Sequence, residues 1–120
     1  MIYKIGDLAR EFNVTLRTLR FYEDRGLITP ERSGTTRLYS EQDRERLRVA
    51  LFCKRIGLSL GEIREMLELH DRQHGDDAAS RIKEVYTSQL KTLVKQQQAT
   101  QEAIVDLERA IERVSVQNAH

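Results

Sequence analysis

Residues 5–22, IGDLAREFNVTLRTLRFY, decide the fold of this chain, and the rest reads outward from them. Ile5, Leu8, Ala9 and Phe12 fall at i, i+3, i+4 and i+7, the spacing of one buried helix face. Asn13 interrupts the run, and Asn tolerates the left-handed backbone that a sharp interhelical turn demands. Val14 offers an apolar plug. Thr15 suits the N-cap of a second helix, its hydroxyl accepting an orphaned backbone N–H. In that helix Leu16 and Leu19 are expected to face the first helix, while Arg17, Thr18 and Phe21 take a different, outward face. A short helix, a tight turn and a second helix showing cations outward make a helix-turn-helix, whose second helix enters a DNA major groove. The same pattern fits a plain αα-hairpin with solvated arginines, and the residues that follow distinguish the two.

Gly26, after Arg25, is placed to end the second helix, and Pro30, the only proline, forbids its continuation. Residues 27–29 and 37–39 favour strands and enclose small polar residues around Gly34, which predicts a hairpin with Arg32 and Arg37 flanking its tip. A basic hairpin behind a helix-turn-helix is a wing that can touch backbone phosphates beside the groove. Ser40 with Asp43, and Ser59 with Glu62, have capping-box spacing and predict two further helix starts. Between them Val49, Phe52, Cys53 and Ile56 form an expected apolar stripe, widened by Leu47 and Leu51 and closed by Gly57. The next helix, residues 60–69, is expected to bury Leu60, Ile63, Met66 and Leu67.

Beyond a polar connector, residues 71–76, an uninterrupted helical pattern runs over residues 77–116, followed by a short tail at 117–120. Leu90, Gln97, Ile104 and Ile111 recur every seven residues, as do Tyr86, Leu93, Thr100, Leu107 and Val114. Taken as a and d positions these form a coiled-coil seam with one polar layer at Gln97 and Thr100. A helix of this kind cannot bury its own stripe, so a homodimer is predicted; folding back onto residues 1–70 is the alternative. Ile82 and Val85 lie off the seam and are expected to pack on a DNA-binding unit. The expected fold class is mainly α, a winged helix-turn-helix DNA-binding domain followed by a long C-terminal coiled-coil dimerisation helix.

Charged residues make up 32% of the 120 and hydrophobic ones 39%, with no Trp, which suits a surface-rich chain with a small core. No apolar run is long enough to span a membrane, and no signal-peptide core is present. The single cysteine, Cys53, excludes an intramolecular disulfide and fits the cytoplasm. Net charge is only +1, so any DNA binding must rest on local placement of arginines rather than bulk attraction. There is no Gly-rich phosphate loop and no nucleophile with a paired base, which argues against an enzyme.

The run IGDLAREFNVTLRTLRFYEDRGLITPERSGTTRLYSEQDRERL, with GLSLGEIREML after it, resembles the MerR family of bacterial transcription regulators across residues 2–70. The resemblance rests on the T-x-R-T-x-R-x-Y segment (Thr15, Arg17, Thr18, Arg20, Tyr22) and the E-x-x-G-L turn. The R-x-Y-S junction (Arg37, Tyr39, Ser40) and the G-x-S-L-x-E-I helix start complete it. It implies a dimer on double-stranded DNA at a pseudo-palindromic promoter operator, distorting the duplex so that RNA polymerase can engage both promoter elements. Arg17, Thr18 and Arg20 would contact groove and backbone, with Thr15 heading their segment. Tyr22, Arg37 and Tyr39 would contact phosphates, and Arg32 would be a wing contact. Phe21 stands where the family often has Tyr, losing a hydroxyl while keeping apolar contact with a thymine methyl. Arg20 has an alternative, pairing with Glu23 or Asp24.

Metal-sensing relatives place cysteines at and beyond the start of the dimerisation helix. This chain reads Asp76-Asp77-Ala78-Ala79-Ser80 there and has no cysteine in residues 54–120, which argues against soft-metal and iron–sulfur sensing. A harder metal site from His70, Asp71, His74, Asp76 and Asp77 is disfavoured by Gly75, so no metal or cofactor is expected. Drug-sensing relatives carry a large further domain, whereas this chain ends soon after its seam. Any small-molecule effector, unidentified from sequence, would then sit between the dimerisation helix and the partner's DNA-binding unit; the alternative is that there is none. Short, cysteine-free relatives of the family control branched-chain amino acid and acyl-CoA catabolism. The alternative class is an architectural, excisionase-like DNA-bending protein.

Overall fold

A computed structural model describes residues 1–72 and 75–118. The elements run β1 (Tyr3–Lys4), α1 (Ile5–Phe12), α2 (Leu16–Asp24), β2 (Glu31–Ser33), β3 (Thr36–Tyr39), α3 (Glu41–Arg55), α4 (Leu60–Asp71) and α5 (Asp76–Asn118). Two compact units result, Met1–Ile82 and Lys83–His120, divided within α5.

The turn between α1 and α2 forms as its residues dictate. Asn13 adopts φ 53° and ψ 49°, and Val14 N–H donates to Ala9 O at 3.0 Å. Thr15 caps α2 by accepting from Thr18 N–H at 3.1 Å. Both capping boxes also close: Asp43 N–H donates to Ser40 Oγ at 3.1 Å, and Glu62 N–H to Ser59 Oγ at 3.2 Å. Gly26, at φ +72°, lets Leu27 N–H reach back to Tyr22 O at 3.0 Å and turn the chain inward.

The core of the first unit joins Leu8 and Leu19 to Leu27, Ile28, Tyr39, Leu47, Cys53, Ile63, Met66 and Leu67, all essentially fully buried. Three local expectations change. The wing hairpin is built from β2 and β3, paired Glu31 to Leu38 and Ser33 to Thr36, rather than from residues 27–29. Leu27 and Ile28 are taken by the core, and Pro30 has no N–H for a ladder, so pairing starts only after it. Tyr3 and Lys4 add a third strand, antiparallel to β3, in the order β1-β3-β2.

The buried face of α3 is turned roughly a quarter turn from the expected stripe, through Asp43, Leu47, Ala50 and Cys53. Val49 stays at its edge, but Phe52 is 46% exposed. Leu16 is likewise 40% exposed, because Leu19 and Tyr22 suffice to seat α2 on the core.

In the second unit α5 runs as one helix through to Asn118, the 43 residues of its whole length spanning about 65 Å. Nothing breaks it, since neither Gly nor Pro occurs within it. Leu90, Leu93, Ile104, Leu107, Ile111 and Val114 are all exposed in the single chain, while Val85 is buried. No helix among the described residues is long and apolar enough to cross a membrane.

Candidate nucleic-acid interface

Helix α2 is amphipathic with one side fixed. Leu19 and Tyr22 are buried, which forces Arg17, Arg20 and Phe21 outward, and all three are exposed. Thr18, half-buried, shares a hydroxyl–hydroxyl hydrogen bond of 2.9 Å with Thr15, so the two threonines form a small polar corner at the helix start. Among the described residues Arg17 and Arg20 form no salt bridge. Arg20 therefore forms no salt bridge with Asp24 or with Glu23, and Glu23 is engaged by Arg32 and Arg37 instead.

Glu23 faces the wing. Its Oε1 accepts from Arg32 Nη2 at 3.0 Å and its Oε2 from Arg37 Nε at 2.7 Å. One carboxylate on α2 therefore clamps a guanidinium from each wing strand, Arg32 and Arg37 being register partners in the β2–β3 ladder. Arg32 remains exposed, so part of its donor fork still faces solvent, whereas Arg37 is only half-exposed.

The tyrosines lie differently from the arginines. Tyr22 is 4% exposed and Tyr39 fully buried, so neither ring stands on the surface beside Arg17. Burial raises the phenol pKa of both. The Tyr39 hydroxyl has no hydrogen-bond partner among the described residues. The structure thus leaves Thr15, Arg17, Arg20, Phe21 and Arg32 exposed and Thr18 and Arg37 half-buried, with Tyr22 and Tyr39 in the core packing.

Two contributors escaped the sequence reading. Arg25 lays its guanidinium over the Phe21 ring, 5.0 Å from the centroid; the i, i+4 spacing of two outward residues was the signal for it. Asp43 does more than cap α3. It is 7% exposed and its Oδ1 accepts from Thr29 N–H at 3.4 Å, tying the segment before the wing to the helix after it.

His70 lies at the end of α4 and is half-buried, while His74 of the considered metal set lies outside the described residues. Among the described residues no group of three His, Cys, Asp or Glu is gathered closely enough to hold a metal ion.

Residues 3–69 match the family model described as MerR HTH family regulatory protein, and residues 44–110 match MerR, DNA binding. Over 70 residues the chain is 40% identical to the HTH-type transcriptional regulator ZntR homolog of Haemophilus influenzae, covering 57% of this chain and 52% of that protein. It is 35% identical over 113 residues to the HTH-type transcriptional activator mta of Bacillus subtilis, covering 92% of this chain and 41% of that one. The chain spans about half the length, or less, of these curated relatives. The N-terminal part of that Bacillus subtilis multidrug transporter activator superposes with a TM-score of 0.69 at 34% identity, over 91% of this chain and 97% of the other. HiNmlR, a MerR family regulator lacking the sensor domain and bound to promoter DNA, superposes with a TM-score of 0.67 at 28% identity, over 88% and 80%. With a winged helix-turn-helix in place and a family model matched across most of it, the chain belongs to the MerR family of DNA-binding transcription regulators.

Proposed function

We propose that this chain acts as a cytoplasmic homodimer on a pseudo-palindromic promoter operator, with α2 of each copy in a major groove. The observation that carries this reading is the outward face of α2, where Arg17, Arg20 and Phe21 stand exposed beside a wing clamped by Glu23. Arg17 and Thr18 contact base edges, Arg20 and the wing arginine Arg32 contact phosphates, and Phe21 lies against thymine methyl groups. Tyr22 and Arg37 support these contacts from behind, and Tyr39 reaches a phosphate only if the wing shifts on binding.

Pairing of two copies follows from α5. A helix with Leu90, Leu107 and Ile111 each about three-fifths exposed leaves its stripe in water, and a second copy of the same stripe covers it. Tyr86, Leu93, Gln97, Thr100, Ile104 and Val114 complete that seam. A symmetric dimer calls for two half-sites, and distortion of the duplex between them sets how RNA polymerase meets the promoter. The effector of such a switch is a small molecule, with acyl-CoA esters as the first class to test.

The test is a footprint on the promoter beside the chain's own gene, with and without acyl-CoA esters and divalent metals. One symmetric protected site supports the regulator, and central steps turning hypersensitive with one compound identify its effector. Several phased half-site footprints favour an architectural protein instead. No protection defeats the reading.

A further inference from the structure

Helix α2 offers more than its outward arginines. At about 100° per residue, the buried Leu19 and Tyr22 point one way and Arg17 and Phe21 the other. Glu23 then lies on one flank, where it holds the wing through Arg32 and Arg37. Arg25 lies on the opposite flank. A major groove about 12 Å wide takes one helix and leaves a phosphate wall on each side. The wing serves one wall; on the other flank Tyr22 is buried and Thr18 half-buried, which leaves Arg25 as the exposed cation there.

Arg25 is built for that position. Its backbone is held from three directions: its N–H donates to Phe21 O at 3.0 Å, its carbonyl accepts from Arg64 Nη2 at 3.0 Å, and Leu27, two residues on, is fully buried. Its guanidinium lies over the Phe21 ring, and that ring meets Tyr22 edge-on, 5.8 Å between centroids at 72°, with Tyr22 itself in the core. A guanidinium held over a ring by its charge keeps N–H donors that match a phosphate. No carboxylate forms a salt bridge with Arg25 among the described residues, although the neighbouring Asp24 is exposed.

We infer that Arg25, positioned by Phe21, is a DNA-backbone contact on the groove wall opposite the wing. Phe21 thereby has a second role beyond any thymine contact, as the platform that orients a cation. The inference rests on the proposed placement of α2 in the major groove. The bland alternative is that Arg25 only shields an exposed ring from water.

The experiment uses the full chain and two probes: a duplex selected by the wild type from a random-sequence pool, and an unrelated duplex of equal length. Affinities are measured across a salt series for wild type, Arg25→Ala, Phe21→Leu, the double variant and Arg17→Ala, with circular dichroism to confirm folding. Arg25→Ala is expected to weaken binding about tenfold on both duplexes and to reduce the salt slope by about one phosphate contact. Arg17→Ala is expected to lose mainly the selected duplex. Removing Arg25 from Phe21→Leu is expected to cost clearly less than removing it from wild type. An unchanged affinity and slope for Arg25→Ala overturns the contact and leaves only the shielding role. A loss confined to the selected duplex overturns the phosphate assignment. A full tenfold loss in the Phe21→Leu background overturns the platform. Failure of the wild type to select or bind any duplex overturns instead the placement of α2 on DNA.

Discussion

Arg37 of the wing donates its Nε–H to Glu23 Oε2 at 2.7 Å, from one strand beside the third turn of α2. The Glu23 side chain is only 14% exposed and Arg37 23%, so this pair is shielded in a way most surface pairs are not. A charged hydrogen bond in such a place is worth about 1.5–3 kcal/mol, and removing one partner strands the other. Glu23→Ala is therefore expected to destabilise the chain by about 2 kcal/mol in urea unfolding. A double-mutant cycle should couple Glu23 to Arg37 more strongly than to the exposed Arg32, whose coupling stays under about 1 kcal/mol. Equal coupling to both arginines would contradict the clamp as described.

Asp43 is the second anchor of the wing. Its carboxylate accepts from Ser40 N–H at 2.9 Å, Ser40 Oγ at 3.1 Å and Thr29 N–H at 3.4 Å. Asp43→Ala removes a cap and leaves the Thr29 N–H wanting, an expected loss of about 2 kcal/mol. Ser40→Ala, which removes the cap acceptor of Asp43 N–H and the hydroxyl donor to its carboxylate but keeps the tie to Thr29, should cost about 1 kcal/mol. Chemical denaturation of the two variants separates them, and equal losses would show that the tie to Thr29 contributes nothing.

The turned face of α3 makes a direct prediction. Leu47 is fully buried and Phe52 is 46% exposed. Leu47→Ala should cost about 2–5 kcal/mol, the range for emptying a core site. Phe52→Gln should cost less than about 1 kcal/mol in the monomeric unit. A larger loss for Phe52→Gln would restore the face drawn from sequence.

One acid-sensitive contact joins Tyr3 to Glu41, which also accepts from Arg44. The Tyr3 hydroxyl donates to Glu41 Oε2 at 2.7 Å, and this bond is the first cause holding the Glu41 carboxyl below its ordinary 4.5. The same contact raises the Tyr3 phenol, and the Glu11 carboxylate raises the Arg44 guanidinium above its ordinary value. A depressed carboxyl contributes stability that is complete above its ordinary value and lost as pH falls through the lower folded one. Tyr3→Phe should move the Glu41 titration midpoint upward in a side-chain NMR titration. An unmoved midpoint would assign the depression to Arg44 instead.

For α5 the expected outcome is in the assembly state. Ile104→Glu places a charge on a stripe whose members are exposed in the single chain, and sedimentation should shift from dimer to monomer. Gln97→Leu should strengthen pairing while loosening the choice of partner number. A wild type that sediments as a monomer would overturn the dimer.

Much of the first unit was legible because its signals are local. Asn13 at its left-handed turn, Thr15, Ser40 and Ser59 as caps, and Gly26 and Gly57 at positive φ each act within a few residues of themselves. The family motifs sit on the same short spacings, so the winged helix-turn-helix and the uninterrupted final helix could be read directly. The candidate site was readable only as far as outward spacing carries, which reaches Arg17 and Phe21, both exposed, and Thr18, which is half-buried; Arg20 came only with the family resemblance.

Sequence alone determined the order of the helices, the capped starts of α2, α3 and α4 and the buried Leu19 face of α2, since periodicity and capping are properties of neighbouring residues. Tertiary structure decided that Tyr3 pairs with Tyr39, that Glu23 clamps Arg32 and Arg37, that Tyr39 is buried, and that α3 turns Phe52 outward. Each of those joins residues distant in the chain, as Tyr3 with Tyr39 or Glu23 with Arg37, or chooses among several apolar faces of one helix. Such choices are made by the shape of the shared core, which no window of sequence contains.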